Sequence, residues 1–282
     1  MLQQSVSGEN HPAWTLGHLF LGDCMILSVL RVPNAPQMPK GWLEIYAPGN
    51  PSLWFRADTI TGISTGTGIS TWVNLAGSGG NNAAQSTVGE RPVLQTTGGR
   101  QVLEFTSASS QFLRCSTSVF SSKDTRAMWA VYRVVSTAVN QVNGICGASS
   151  GDNANTWFMM QSRTNAASSG NPYFAGYAND LGGADYTTAW ILGGITLSSA
   201  SSAVTLRKNG SLINSTIKAT LNTVDTDFLI GRGLAAGIPE FLGGKIGEIL
   251  VYRVIPTTAQ IEDIERELCA RWGITFTTAA TT

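Results

Sequence analysis

The chain is 282 residues long, with 43% hydrophobic residues, only 13% charged residues, and 18 basic against 18 acidic side chains. The apolar share is enough for a proper core, while the charged share is about half that of an ordinary soluble protein. Zero net charge leaves no basic excess to attract nucleic acid or anionic lipid, so neither is an expected partner.

The opening MLQQSVSGENHPAW lacks the basic stretch of a secretion signal. The apolar run from Cys24 to Leu30 falls far short of the roughly 18–20 residues that span a bilayer. Neither an export signal nor membrane insertion is expected. Residues 1–32 read as an arm with an apolar patch of Leu19, Phe20, Leu21, Met25, Ile26, Leu27, Val29 and Leu30. A segment this short cannot make its own core, so the patch is expected to dock as an assembly device. Five of the ten prolines, Pro33, Pro36, Pro39, Pro48 and Pro51, mark residues 33–52 as an extended connector.

From residue 53 onward short β-type runs alternate with turn-rich stretches: SLWFRAD, STWVNLAG, QVLEF, AMWAVYRVV, NGICG, TWFMMQS, PYFAGY, WILGGITLS, AVTLRK, SLINSTI, FLIGR and KIGEILVYRV. They are rich in β-branched and aromatic residues and bounded by Gly, Asn, Ser and Pro. In AMWAVYRVV both alternating faces are apolar, which predicts an inner strand covered on both sides or facing a subunit. Asn209-Gly210 suits a type I′ hairpin turn. About a dozen strands without intervening helices predict an all-β fold, a two-sheet antiparallel sandwich.

One helix is expected, at about 257–272. Pro256 stops the strand before it, Thr257 with Gln260 forms a capping box, and Gly273 ends it. Ile261, Ile264, Leu268 and Trp272 make its core-facing stripe, with Glu262, Asp263, Glu265 and Arg266 expected to face water. Trp54, Trp72, Trp129, Trp190 and Trp272 lie within core-type elements and are expected in the core.

Four stretches carry a family resemblance: SLWFRADTITGISTGTGISTWVNLAGSGGNNAAQ, RPVLQTTGGRQVLEFTSASSQFL, LRKNGSLI and GGKIGEILVYRVIPTTAQIEDIERELCARWGI. Together they resemble the laminin-G-like, concanavalin-A-like jelly-roll superfamily in its bacterial and phage form, over about residues 52–274. The resemblance implies a two-sheet jelly roll over 53–276, closed by the C-terminal helix, with 277–282 as a tail. It does not imply one function, because lectins, adhesion modules, glycan hydrolases and virion components share the fold.

Catalytic residues are not expected. Both histidines, His11 and His18, lie in the arm, which removes histidine-assisted nucleophiles and histidine metal sites from the sandwich. Hydrolases of the resembled family carry Glu-x-Asp-x-x-Glu on one strand, and this chain has no such cluster. Its nearest acidic pair, Glu240 and Glu248, is eight residues apart. Glu248 sits among apolar residues, which predicts a structural partner such as an arginine or a tryptophan N–H. The GDNAN loop offers Asp152, Asn153 and Asn155 but only one carboxylate, too few for calcium. No metal or cofactor is expected. Cys24, Cys115, Cys146 and Cys269 form no CxxC pair and are expected as buried free thiols, with a Cys115–Cys146 bridge as the alternative.

The best binding candidate is GNPYFAGYANDLGGADYTT, where Tyr173, Phe174, Tyr177 and Tyr186 gather with Asn179, Asp180 and Asp185. Aromatic faces suit the apolar surfaces of sugars, and amides and carboxylates suit their hydroxyls. Three functional classes follow, in this order. The first is a non-enzymatic phage virion subunit, of decoration, cement or fibre type. It would be a homo-oligomer, by analogy a trimer, and would dock on capsid or other virion proteins through the arm. The second is a carbohydrate-binding or adhesion module at a bacterial surface, with a cell-surface glycan as partner. The third is a glycan-active enzyme.

Overall fold

The computed structural model describes residues 51–76, 80–116, 119–120, 122–135, 142–148, 154–163, 172–182, 188–224, 227–235 and 238–277, together with the backbone of two short N-terminal strands. The chain divides into two compact units, residues 1–42 and 43–282. In the first, β1 (Leu19–Leu21) and β2 (Cys24–Ile26) form an antiparallel hairpin, with Leu19 opposite Ile26. Five of the arm's eight predicted docking residues therefore lie on this hairpin. Leu27, Val29 and Leu30 lie outside the described residues, as does most of the connector.

The second unit is a sandwich of two antiparallel sheets. The larger has eight strands. In spatial order they are β15 (Ser211–Ile217), β14 (Ala203–Lys208), β13 (Ile191–Leu197), β9 (Arg126–Val134), β19 (Gly244–Tyr252), β7 (Arg100–Phe105) and β6 (Val93–Thr97), with β3 (Leu53–Arg56) also pairing on β19. The smaller runs β12 (Tyr173–Ala175), β11 (Phe158–Arg163), β10 (Val142–Ala148), β16 (Phe228–Ile230), β8 (Leu113–Cys115), β5 (Ala83–Ala84) and β4 (Thr71–Trp72). Turn chemistry sets the hairpins. Asn209 and Gly210 both hold positive φ, 51° and 100°, between β14 and β15, the left-handed pair that a type I′ turn requires.

The main core lies between the sheets and includes Phe55, Trp72, Phe105, Met128, Tyr132, Phe158, Phe174 and Ile246. Cys115 and Cys146 are buried in it and free, and Cys269 is buried and free on the C-terminal helix. Burial pushes the Cys115 and Cys269 thiols up to about 12 and that of Cys146 higher still. None is poised as a nucleophile.

A second core lies on the outer face of the larger sheet. Helix α1 (Thr258–Trp272) packs Ile261, Ile264, Leu268 and Trp272 there against Val102, Trp129, Val131 and Leu250. Each such side chain contributes about 1.5–3 kcal/mol on full burial. This explains the two apolar faces of β9: Met128, Ala130 and Tyr132 face the sheet partner, while Trp129 and Val131 face the helix. The capping box is formed as the spacing predicts, with Thr257 N–H donating to Gln260 Oε1 at 2.9 Å, and Gly273 ends the helix at φ 66°.

The outer face of the smaller sheet is covered differently. The hairpin of β17 (Arg232–Ala235) and β18 (Ile238–Phe241) lies over β10 and β11. Contact is so close that a Cβ on Gly144 would come within 2.1 Å of the Gly233 nitrogen. No helix among the described residues is long and apolar enough to cross a membrane.

Candidate functional site

Three loops meet beside the outer face of the smaller sheet: residues 154–157, 176–182 and 218–224. Backbone bonds tie them together. Asn155 N–H donates to the Tyr177 carbonyl at 2.6 Å, Asn222 N–H to the Asn155 carbonyl at 2.7 Å, and Val224 N–H to the Thr156 carbonyl at 3.3 Å. The Asn179 amide donates to Asn155 Oδ1, and to Thr220 Oγ1 at 2.8 Å. The Lys218 ammonium donates to the Asp180 carbonyl at 2.7 Å.

The Asp180 carboxylate sits where this junction meets the sheet. Its Oδ1 accepts Gly176 N–H at 3.0 Å and its Oδ2 accepts the Tyr173 hydroxyl at 2.8 Å. Arg163 approaches the same Oδ2 at only 3.5 Å, and both side chains are 31% exposed. The Arg163 guanidinium lies 3.9 Å above the Tyr173 ring and donates to Gln161 Oε1 at 3.2 Å. Gln161 in turn donates to Glu240 on the covering hairpin. Burial is the main cause that raises the Glu240 carboxyl to about 7, with Asp180 adding to it and Arg163 opposing. At neutral pH this acid is therefore near half protonation. Burial and the bond to Asp180 likewise raise the Tyr173 hydroxyl.

Tyr177 stacks on Trp157 with ring centroids 5.1 Å apart and an interplanar angle of 26°. Trp157 is buried and Tyr177 half-buried, so Tyr177 is the ring that solvent reaches. Tyr177 and Ala178 both occupy the left-handed region, φ 46° and 69°. Two consecutive non-glycine residues there store strain, which concentrates at functional sites.

The sequence candidates thus divide. Tyr177, Asn179 and Asp180 come together at the loop junction. Tyr173 is only 8% exposed and donates its hydroxyl to Asp180, and Phe174 is buried in the core between the sheets. Asp185 and Tyr186 lie outside the described residues, as do Asp152 and Asn153. Asn155 is spent on bracing the junction. Sequence reasoning missed Asn155 as a brace, and also Gln161, Arg163, Lys218 and Glu240. The one available signal was Gln161 and Arg163 continuing the alternation of Trp157 and Met159, which placed polar groups on an otherwise apolar face. Among the described residues no three or more His, Cys, Asp or Glu side chains cluster to hold a metal.

Glu248 is built into the fold. A bulge in β19 between Ile246 and Glu248 turns Gly247 and Glu248 to the same, helix-facing side. There the buried Glu248 carboxylate accepts Trp54 Nε1–H at 2.9 Å, Trp272 Nε1–H at 2.8 Å and Arg271 at 2.6 Å. These are the partners its apolar surroundings predict. Glu265, expected to face water, is 1% exposed. It accepts Trp129 Nε1–H at 3.0 Å and both forks of Arg207, at 2.7 and 2.8 Å. Two Trp–Glu–Arg clusters therefore fasten helix to sheet.

No protein-family model and no curated protein matches this chain. Solved structures do. The botulinum neurotoxin serotype G binding domain aligns with a TM-score of 0.52 and 12% identity, over 78% of this chain and 52% of that one. The receptor binding domain of botulinum neurotoxin D gives 0.51 and 13%, over 78% and 53%. This chain thus spans about half of each toxin domain. A CBM40 domain of a Ruminococcus gnavus sialidase, solved with α2,3-sialyllactose, gives 0.41 and 17%, over 51% and 84%. At these identities the shared property is the β-sandwich.

Proposed function

We propose that the chain is a non-catalytic carbohydrate-binding module that takes its sugar at the three-loop junction. The observation that carries this reading is the junction itself. The half-buried Asp180 carboxylate, the Asn179 amide, the Lys218 ammonium and Arg163 are joined through one loop junction that also presents an accessible aromatic ring, Tyr177, on a rigid sandwich. Fixed polar groups around an apolar surface give a sugar orientation and contact together. The toxin binding domains support the scaffold only. An extracellular or cell-surface location accompanies this reading. A glycan array tests it, using the full chain with Tyr177→Ala and Asp180→Asn. Binding to a defined set of glycans is expected, weakened about tenfold or more by each substitution, in line with the loss of one charge-assisted bond or one aromatic contact. A blank array, or folded variants that bind like the parent, would end it.

A second reading, a self-assembling virion subunit, draws on the separate unit of residues 1–42 with its apolar β1–β2 hairpin. Light-scattering mass of the full chain and of a version beginning at Pro51 tests it. A discrete oligomer that becomes monomeric on truncation supports assembly through the arm, and two monomers refute self-assembly.

A further inference from the structure

The helix does not cover all of the larger sheet's outer face. Beyond Trp272, a row of charged side chains crosses three strands in register: Glu104 on β7 opposite Lys245 on β19, and Lys245 opposite Arg133 on β9. Glu104 is engaged with Lys245 at 3.5 Å. Lys245 and Arg133 are therefore like charges directly across a ladder, an arrangement that costs stability. Among the described residues neither Arg133 nor Arg100 has a carboxylate partner. Arg133 Nε is buried and has no hydrogen-bond acceptor. The sequence gives no reason for this cost, and a buried unpaired donor calls for one.

Both arginines are held on tryptophans. The Arg133 guanidinium lies 6.0 Å from the Trp190 ring and that of Arg100 lies 5.9 Å from Trp272. The two indoles are themselves 5.8 Å apart at 34°. Arg100 is placed by the tight turn at Gly98 and Gly99, φ 58° and 77°, which brings the start of β7 beside the helix end. The result is a sequence of cation, ring, ring, cation. Arg100, Arg133, Lys245 and Trp190 are all half-buried, so part of each residue reaches solvent.

We propose that this patch binds an acidic polysaccharide, with one anionic group on Arg133, another on Arg100 at the far end of the two indoles, and an apolar sugar face against Trp190 between them. Guanidinium ions fixed on aromatic rings lose little freedom when they grip a planar carboxylate or a sulfate through two bonds. Such an anion, held on the outer part of the Arg133 guanidinium, would relieve its repulsion with Lys245. The patch lies on the opposite sheet from the loop junction, so it stands or falls separately from the junction.

The test is equilibrium binding of the full chain to polygalacturonate, dextran sulfate and neutral dextran, with Arg133→Gln, Arg133→Lys and Arg100→Gln. Arg266→Gln, an exposed arginine on the helix, serves as control, and Asp180→Asn reports on the junction. Binding to one or both acidic polymers and not to neutral dextran is expected, and the preferred polymer identifies carboxylate or sulfate. Arg133→Gln and Arg100→Gln should each weaken binding about tenfold. Arg133→Lys should lose several-fold despite keeping its charge, because an ammonium cannot make the paired bonds. Arg266→Gln should leave it unchanged, and a loss in Asp180→Asn with none in Arg133→Gln or Arg100→Gln would place the polymer at the junction and overturn the proposal. Should Arg133→Gln fail to fold, Arg100→Gln carries the test. Absence of binding to both acidic polymers overturns the proposal, and so does Arg133→Lys or Arg266→Gln behaving oppositely to these expectations, which would mark simple ion exchange.

Discussion

The two sheets carry unlike outer layers. On the larger sheet a regular helix seals most of the face, and the polar groups it traps, Glu248 and Glu265, are fully engaged with tryptophan and arginine donors. On the smaller sheet a two-stranded hairpin and three loops cover the face less completely. There the polar groups Asp180, Arg163 and Glu240 are only partly buried, and the Arg163–Asp180 contact is stretched to 3.5 Å. The difference teaches where stability and recognition divide. A helix satisfies its own backbone and leaves side chains free to close a core. Loops must spend side chains on bracing one another, as Asn155, Asn179 and Thr220 do, and they leave charged ends facing water.

Four experiments would break or sharpen this contrast. The largest effect is expected from Glu248→Ala, which leaves two indole N–H groups without an acceptor and the half-buried Arg271 with Glu267 alone. Chemical denaturation should show a loss of about 3–5 kcal/mol, and a cost below about 1 kcal/mol would mean the carboxylate does not hold the helix down. Next is Gly247→Ala. A Cβ there would lie 2.4 Å from the Trp272 ring, so overpacking should cost about 1–3 kcal/mol. Relief of that cost in the Gly247→Ala, Trp272→Leu double variant would confirm the cause.

On the looser side the effects shrink. Glu240 keeps its proton to about pH 7 in the folded protein, against a usual carboxyl value of 4.5. Between those values the folded state holds a proton that the unfolded state has released, so stability falls as pH rises through this window and levels off above it. The loss should reach about 1–2 kcal/mol after allowing for the group's partial exposure. Denaturation midpoints at pH 4.5 and 8 measure it, and Glu240→Gln should remove this component of the pH dependence. The smallest effect belongs to Ala178→Gly, which relieves the left-handed strain at an exposed position. A gain of about 0.5–1 kcal/mol is expected, and a loss would show that the Ala178 side chain contributes contacts that outweigh the strain.

Local chemistry by itself determined much of this protein. Turn residues placed the Asn209-Gly210 hairpin, the Thr257–Gln260 capping box and Gly273 bounded the helix, and the stripe of Ile261, Ile264, Leu268 and Trp272 named its buried face. Those signals are readable because each depends on residues within a few positions of one another. Tertiary structure decided the rest. Strict alternation would put Glu248 on the same face as Ile246, and only the bulge at Gly247 turns it toward the helix. Glu265 looks like a surface residue until Arg207 and Trp129, 58 and 136 positions away, are packed against it. The loop junction joins Asn155, Asp180 and Lys218 from three loops, and the basic patch joins Arg100, Arg133 and Lys245 from three strands with Trp190 just before a fourth. Periodicity reports which face a residue prefers. It carries no record of which distant side chain waits on that face, because strand pairing and sheet packing fix that partner only when the whole sandwich closes.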